Sequence, residues 1–130
     1  MMDTLLGREK DALGFVVVVG DRIAGYIQYY EEADPQYRHA GIDVVIGGGF
    51  RDRGVGTKAV RLMARYLFEE RGHHRIVIDP NAGNPRAIRT YEKVGFKPVG
   101  VMRQYEWDAH RGEWTDAILM DLLREDLTDA

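Results

Sequence analysis

The chain has 130 residues, 45% of them hydrophobic and 30% charged, which is typical of a folded globular protein rather than a disordered one. Its net charge of -3 argues against nucleic acid as a partner, and its lack of cysteine excludes disulfides, thiolate nucleophiles and cysteine-bound zinc. No apolar run approaches the roughly 18 residues of a membrane span, and residues 1–4 do not begin a secretory signal. We therefore expect a single domain over residues 1–130, located in the cytoplasm, with no membrane partner.

The first part of the chain predicts three strands, at residues 13–19, 23–30 and 42–46. A hairpin turn at Gly20-Asp21 joins the first two, and the acidic loop 31–35 precedes the third. The third strand carries one charge, Asp43. Because an unpaired buried carboxylate is costly, Asp43 needs a partner or a functional role.

The next segment of the chain has the apolar spacing of a helix. Apolar residues spaced by three and four predict a helix from Thr57 to Arg71, ended by Gly72. A buried-type strand at 75–79 leads to a second helix, which Asn84-Pro85 begins and Gly95 closes.

The last two strands, 99–107 and 114–123, form a hairpin in which Trp107 and Trp114 are expected to pair. The order β-β-β-α-β-α-β-β predicts one parallel strand pair across the first helix and antiparallel hairpins on both sides. None of the four histidines has metal-ligand spacing, so we expect no metal site, and His73-His74 is expected to be exposed.

An arginine- and glycine-rich segment, R-x-x-G-x-G at 51–56, opens the first helix. Helix N-termini expose unpaired N–H groups, and Gly54 and Gly56 let the backbone approach phosphate oxygens closely. The segment alone is equally compatible with a glycine-rich helix entrance flanked by solvated arginines.

A second string is more specific: N-x-x-A-x-x-x-Y-x-x-x-G-F at residues 84–96, following a strand. With the R-x-x-G-x-G loop, it resembles the GNAT superfamily of N-acetyltransferases, from about Leu13 onward. The resemblance implies an α/β (α+β) fold with a mixed, mostly antiparallel sheet, a splayed central parallel pair and helices on both faces. It also implies acetyl-coenzyme A as cofactor.

The resemblance assigns roles residue by residue. Asn84 matches a residue that hydrogen-bonds pantetheine, and Tyr91 one beside the thioester sulfur; in isolation, Tyr91 reads as a buried aromatic. Cofactor binding is implied for these residues: Val44, Val45, Ile46, Arg51, Arg53, Gly54, Val55, Gly56, Thr57, Asn84 and Ala87.

The implied chemistry is attack of an amine on a thioester. It needs a base to hold the amine neutral, a backbone N–H to stabilise the oxyanion and a hydroxyl to protonate the leaving thiolate. Tyr91 is the candidate acid. Because the chain has no cysteine, direct transfer in a ternary complex is favoured over a covalent enzyme intermediate.

Three further strings are similar to bacterial aminoglycoside 6'-N-acetyltransferases: E-E-x-D-P at 31–35, G-I-D at 41–43 and D-P at 79–80. The resemblance makes Asp43 the base or amine-orienting group and Asp79 an acceptor-binding acid, and it implies a role in antibiotic resistance. Four residues are expected at the mouth of the same site: Tyr30, Glu31, Glu32 and Asp34. The acidic loop is equally compatible with solvent exposure, and Asp79 with a strand cap.

The sequence departs from the family pattern at its N-terminus. Most GNAT proteins have a strand and helices before the first hairpin, and here we expect that portion to be reduced to residues 1–10 or missing. A homodimer is one way to complete the acceptor side. Two alternatives stay open: acetylation of a protein, lysine or siderophore-type amine, and a non-catalytic acyl-coenzyme A-binding module.

Overall fold

The computed structural model describes residues 12–129, so the predicted N-terminal reduction lies outside the described residues. Six strands and two helices are present in this range, together with two short 3-10 turns. In chain order they are β1 (Ala12–Val19), β2 (Arg22–Glu32), β3 (His39–Ile46), α1 (Val55–Glu69), β4 (Arg75–Ile78), α2 (Pro85–Val94), β5 (Lys97–Asp108) and β6 (Glu113–Leu123).

The strands form one sheet in the order β1-β2-β3-β4-β6-β5. Every neighbouring pair is antiparallel except β3 and β4, which are parallel. This confirms the predicted mixed sheet with a central parallel pair. The parallel register has only two residue pairs, Ala40 with Ile76 and Gly41 with Val77, and no ladder pair joins β3 to β4 beyond them among the described residues. The two strands therefore splay apart toward their C-terminal ends, as predicted.

The helix boundaries follow the capping signals in the sequence. Asn84 caps α2, with its Oδ1 accepting a hydrogen bond from the Ala87 N–H at 3.2 Å, and Pro85 occupies the first helical position. Gly54 begins α1 in the left-handed conformation, at φ 78°, and offers no side-chain cap. Neither helix is long and apolar enough to cross a membrane, nor is any other helix within residues 12–129.

Both helices pack on the same face of the sheet. Buried side chains of α1 and α2, such as Leu67 and Val94, join one core cluster with Ile42, Ile76 and Leu122 of the strands. Cross-strand register places these strand residues on one face. The expectation of helices on both faces thus differs from what the described residues show. The opposite face carries exposed apolar side chains at Val16, Val18, Tyr26 and Val45.

Candidate active site

Two cavities open along β3, where it diverges from β4. The first, of about 650 Å³, is bounded by the end of β3, the 50–57 loop and α2, and we call it the basic groove. The second, of about 570 Å³, is bounded by Asp43, Asp79, the side chain of Tyr30 and residues 105–107, and we call it the acidic cavity. Ile42 and Asp43 line the acidic cavity, whereas Val44, Val45 and Ile46 line the basic groove.

The floor of the basic groove is the N-terminus of α1. With no side chain capping this end of the helix, the first backbone N–H groups are left for a ligand, at the positive end of the helix dipole. Gly54 and Gly56 both line the groove, and no atom lies within 4 Å of where a Cβ on Gly54 would stand. The backbone here can therefore contact an anion directly.

Positive charge surrounds this helix end. Arg51, Arg86, Arg89 and Lys93 line the groove, with Asp52 as an acidic neighbour. The Arg86 Nε donates to Asp52 Oδ1 at 3.1 Å and so ties α2 to the loop. The three basic residues of α2 were not among the predicted cofactor residues, although their i, i+3, i+7 spacing places them on one helix face and could have identified them.

Most of the predicted cofactor residues line the basic groove: Val44, Val45, Ile46, Arg51, Gly54, Gly56, Thr57, Asn84 and Ala87. Arg53 and Val55 do not, and line a separate apolar groove between β1 and α1. The Arg53 guanidinium lies over the Phe50 ring, 5.3 Å from its centroid. Its Nη1 donates to the Gly49 carbonyl at 3.4 Å, which stabilises the loop instead.

Asp43 belongs to the acidic cavity and not to the core. Its carboxylate is exposed and accepts a hydrogen bond from Gln28 Nε2 at 3.3 Å. The premise that Asp43 is buried was therefore wrong. In a strand, successive side chains point to opposite faces, and Ile42 takes the core position while Asp43 points to the uncovered face.

Asp79 lies at the end of β4, on the other side of the gap from Asp43. Its Oδ2 accepts a hydrogen bond from the Tyr105 hydroxyl at 2.8 Å. Tyr105 and Trp107 line the same cavity, and Trp107 also packs edge-on against Trp114 at 5.4 Å, which confirms the predicted cross-strand pair.

Tyr30 forms another wall of the acidic cavity and lies across Gly41 of β3. A Cβ placed on Gly41 would overlap the Tyr30 ring. Glycine at this position is therefore what lets the ring lie flat over the strand.

Tyr91 lies in the basic groove and interacts electrostatically with two acids of the acidic cavity. Its side chain lines the basic groove, is only 7% exposed and packs against Phe96, so it is also a core residue. Burial, reinforced by the charges of Asp43 and Asp79, raises the pKa of Tyr91 to about 12. The hydroxyl therefore keeps its proton at neutral pH and is available as a donor.

The three acids of the 31–34 segment do not line the acidic cavity. Glu31 forms a bidentate pair with Arg71, at 3.0 and 3.1 Å, and contacts His73. Glu32 accepts a hydrogen bond from the Asp34 N–H, and Asp34 accepts one from the Gln36 N–H, so both stabilise the turn.

His73 is fully buried, so the expectation that it is exposed was wrong, whereas His74 is exposed as predicted. The His73 Nε2 lies 2.6 Å from Glu31 Oε2, which gives this nitrogen a polar partner, whereas the buried Nδ1 has none within residues 12–129. Burial lowers the pKa of His73, so the ring is neutral near pH 7.

Comparison with known proteins agrees with this architecture. Residues 2–96 match the model of the acetyltransferase (GNAT) family, and the chain belongs to that family. It is 34% identical over 106 residues to an aminoglycoside N(6')-acetyltransferase type 1 from Klebsiella pneumoniae, covering 72% of this chain and 52% of that protein. It is 41% identical over 73 residues to a kanamycin resistance protein from Rhizobium radiobacter, covering 55% of this chain and 66% of that protein. The chain thus spans about half the length of the first of these relatives.

Solved structures confirm the fold. A ribosomal-protein-S5-alanine acetyltransferase from Vibrio fischeri aligns with a TM-score of 0.79 at 21% identity, covering 97% of this chain and 69% of that one. A spermidine N-acetyltransferase from Vibrio cholerae aligns with a TM-score of 0.76 at 22% identity, covering 88% and 67%. Members of the GNAT family use acetyl-coenzyme A as the acetyl donor.

Proposed function

We propose that this protein is an acetyl-coenzyme A-dependent N-acetyltransferase that acetylates a primary amine of a polycationic small molecule, the 6'-amine of an aminoglycoside. The observation that carries the proposal is that Tyr91 lines the basic groove yet lies close enough to Asp43 and Asp79, which line the acidic cavity, for both charges to raise its pKa. A donor held in the groove and an amine held in the cavity would meet at this hydroxyl.

The basic groove suits the anionic phosphates of coenzyme A in charge. The exposed N–H groups at the start of α1 and the Arg51 side chain would hold the pyrophosphate. Arg86, Arg89 and Lys93 would neutralise the remaining phosphate charge, a role also supported by their place on one face of α2. The Asn84 side chain lines the groove, and since its Oδ1 caps α2, its amide nitrogen remains to donate to the pantetheine arm.

The gap between β3 and β4 would also bind the pantetheine arm. Beyond the Gly41–Val77 pair, the side of β3 that faces β4 makes no ladder contacts within residues 12–129, so its backbone N–H and C=O groups can bond a ligand inserted between the strands. One of these N–H groups would stabilise the oxyanion that develops on the acetyl carbonyl.

Asp43 and Tyr91 would move the protons. Asp43 is exposed to the cavity and would orient the incoming ammonium group or accept its proton, directly or through water. Tyr91 is protonated at neutral pH and would donate to the departing thiolate. Acetyl-coenzyme A supplies the activated acetyl group, so with no cysteine in the chain the proposal is direct transfer within a ternary complex.

The acceptor assignment rests on charge and on the relatives. Asp43, Asp79 and Glu106 all line the acidic cavity, which suits an acceptor with several ammonium groups. The two relatives, named for aminoglycoside acetylation and kanamycin resistance, also support an aminoglycoside acceptor. With such an acceptor, the protein would have a role in antibiotic resistance. The cytoplasmic location and a homodimer stay predictions from the sequence.

The test is an acceptor screen. Purified protein is incubated with acetyl-coenzyme A and kanamycin, tobramycin, spermidine or an N-terminal alanine peptide, and release of free thiol is followed. We expect release with the two aminoglycosides, lost in Asp43→Asn and retained in Asp21→Asn, a matched loss of charge in an exposed turn. Thiol release with the peptide alone would mean that the acceptor is a protein amine and not an aminoglycoside. Tight coenzyme A binding with no release from any amine would indicate a non-catalytic binding module.

A further inference from the structure

The strand β5 departs from regular geometry beside the acidic cavity. Its pairing with β6 shifts register between Met102 and Glu106, because three residues on β5 stand opposite one on β6. Within this bulge, Gln104 adopts a left-handed conformation at φ 49°, which is unfavourable for a residue with a side chain. Its N–H donates to Asp116 Oδ1 at 2.8 Å, so a side chain of β6 holds the bulge in place.

The bulge changes which side chains reach the cavity. In a regular strand, neighbouring side chains point to opposite faces. Here the consecutive residues Tyr105, Glu106 and Trp107 all line the acidic cavity, directly after the interrupted register. Bulges commonly re-aim side chains next to binding sites, and this one brings a carboxylate to the cavity between two aromatic residues.

Glu106 is also held by a residue of the loop that follows β4. Asn81, two residues after Asp79, donates from Nδ2 to Glu106 Oε1 at 3.1 Å and to Thr115 Oγ1 at 2.9 Å. Asn81 Oδ1 in turn accepts the Gly83 N–H at 2.9 Å. Asn81 therefore connects the β5–β6 hairpin to the loop that runs from Asp79 to the start of α2.

We infer that the β5 bulge makes Glu106 a specificity-determining residue, which binds a second ammonium group of the acceptor while the reacting amine lies near Asp43 and Asp79. The inference rests on the proposed function and deepens it by naming the residue that selects polycationic over monocationic amines. Asn81 is its positioning residue, since it fixes one carboxylate oxygen, while the other accepts no side-chain hydrogen bond within residues 12–129 and would accept from the ligand.

The surroundings of Glu106 suit an ammonium group. Tyr105 and Trp107 flank it in sequence, and Tyr30 lines the same cavity, so aromatic side chains and a carboxylate line it together. Ammonium groups are attracted both to carboxylates and to the faces of aromatic rings. A neutral sugar or a peptide backbone could donate a hydrogen bond to the carboxylate but would lack the added charge attraction of an ammonium group.

The experiment compares Glu106→Gln with Glu113→Gln. The first keeps an oxygen that accepts from Asn81 and removes the charge. The second removes the same charge from the same hairpin, where Glu113 pairs with Arg111 at 2.9 Å outside the cavity. Tobramycin and a methyl glycoside of 6-amino-6-deoxyglucose serve as polycationic and monocationic acceptors. For an exposed charge pair we expect Glu106→Gln to raise the KM for tobramycin about fivefold, with kcat nearly unchanged and with no change in KM for the monoamine.

The outcomes separate this inference from the proposed function. Tobramycin binding to the protein–coenzyme A complex is measured in parallel by calorimetry. Binding that weakens in Glu106→Gln, without turnover, would support the inference and refute the transferase activity. Turnover with equal effects of Glu106→Gln on both acceptors, or no effect on either, would refute the inference and leave the transferase standing. Failure of the wild-type protein to bind tobramycin would also overturn the inference.

The role of Asn81 is tested with a double-mutant cycle. Asn81→Ala is expected to raise the KM for tobramycin in the wild-type background and to change it little in the Glu106→Gln background, because it acts through the carboxylate. Additive effects would mean that Asn81 affects the site only through general structure, and would remove it as a positioning residue.

Discussion

Asp43 and Tyr91 lie on opposite sides of the sheet, yet the charge of Asp43 helps to raise the pKa of Tyr91 to about 12. Asp43 points to the uncovered face, and Tyr91 belongs to the core that α1 and α2 cover. The two can interact because β3 and β4 separate after Gly41 and Val77, which opens the sheet at this point. The gap is therefore the place where a donor on one face and an acceptor on the other would react.

Tyr91→Phe is expected to lower kcat by about a hundredfold, the usual effect of removing a general acid, with little change in the Kd of coenzyme A. Because the pKa of Tyr91 is about 12, the wild-type rate should show no loss from its ionisation up to about pH 10. Steady-state kinetics and calorimetry measure the two quantities. Tyr37→Phe, at an exposed turn residue, is the control. Unchanged kcat in Tyr91→Phe would exclude the hydroxyl as the acid.

Gly54→Ala and Gly72→Ala form a matched pair. Both glycines have φ near 75°, at 78° and 72°, and both have open space where a Cβ would stand. Each substitution should cost about 1 kcal/mol of unfolding free energy, from strain in the left-handed region. Only Gly54 lines the basic groove, so only Gly54→Ala should also raise the Kd of coenzyme A, by about tenfold.

Thermal or denaturant unfolding together with coenzyme A titration decides this comparison. Equal coenzyme A affinity in both variants would show that the start of α1 does not hold the pyrophosphate.

Gly41→Ala is expected to disturb the acidic cavity and leave the basic groove intact. The new methyl group would overlap the Tyr30 ring and push it off β3, which removes a wall of the cavity. We expect the acceptor KM to rise about tenfold, or about 1.4 kcal/mol of binding free energy, with an unchanged Kd for coenzyme A. Gly14→Ala is the control, because its Cβ would meet only Gln28 Cβ at an ordinary 3.7 Å. Parallel losses of acceptor and coenzyme A binding would indicate general distortion of the sheet instead.

The His73–Glu31 pair predicts how stability depends on pH. Burial lowers the pKa of His73 below its usual 6.5, and the Arg71 and His73 partners lower the pKa of Glu31 below its usual 4.5. In both cases the unfolded chain binds a proton more readily than the folded one. Stability is therefore full above about pH 6.5 and falls as the pH drops, first through His73 and then, below 4.5, through Glu31.

His73→Gln tests this directly, since its amide can donate to Glu31 and does not titrate. It should lose about 1–2 kcal/mol at neutral pH from poorer packing but show a shallower decline in unfolding free energy between pH 6.5 and 4.5. His74→Gln changes the exposed neighbour and should follow the wild-type curve. An equally steep decline in His73→Gln would mean that His73 does not contribute to the acid sensitivity.

The sequence alone was sufficient for the elements and for the part of the basic groove that the start of α1 forms. Apolar periodicity and capping residues are local signals, so the helix beginning at Asn84-Pro85 and the strands around Gly20 could be predicted closely. The groove could be predicted for the same reason: an anion site at a helix N-terminus is built from one contiguous segment, with glycines where the backbone must turn.

Beyond Tyr30, Asp43 and Asp79, which the sequence had indicated, only the tertiary structure decided the acidic cavity. Its walls come from five strands, and the bulge that presents Glu106 depends on the pairing of β5 with β6 and on an Asp116 hydrogen bond across them. It also decided that Glu31 pairs with the buried His73, 42 residues away, instead of facing a ligand. Contacts between distant segments leave no periodic trace in the chain, because they arise only when the sheet is assembled.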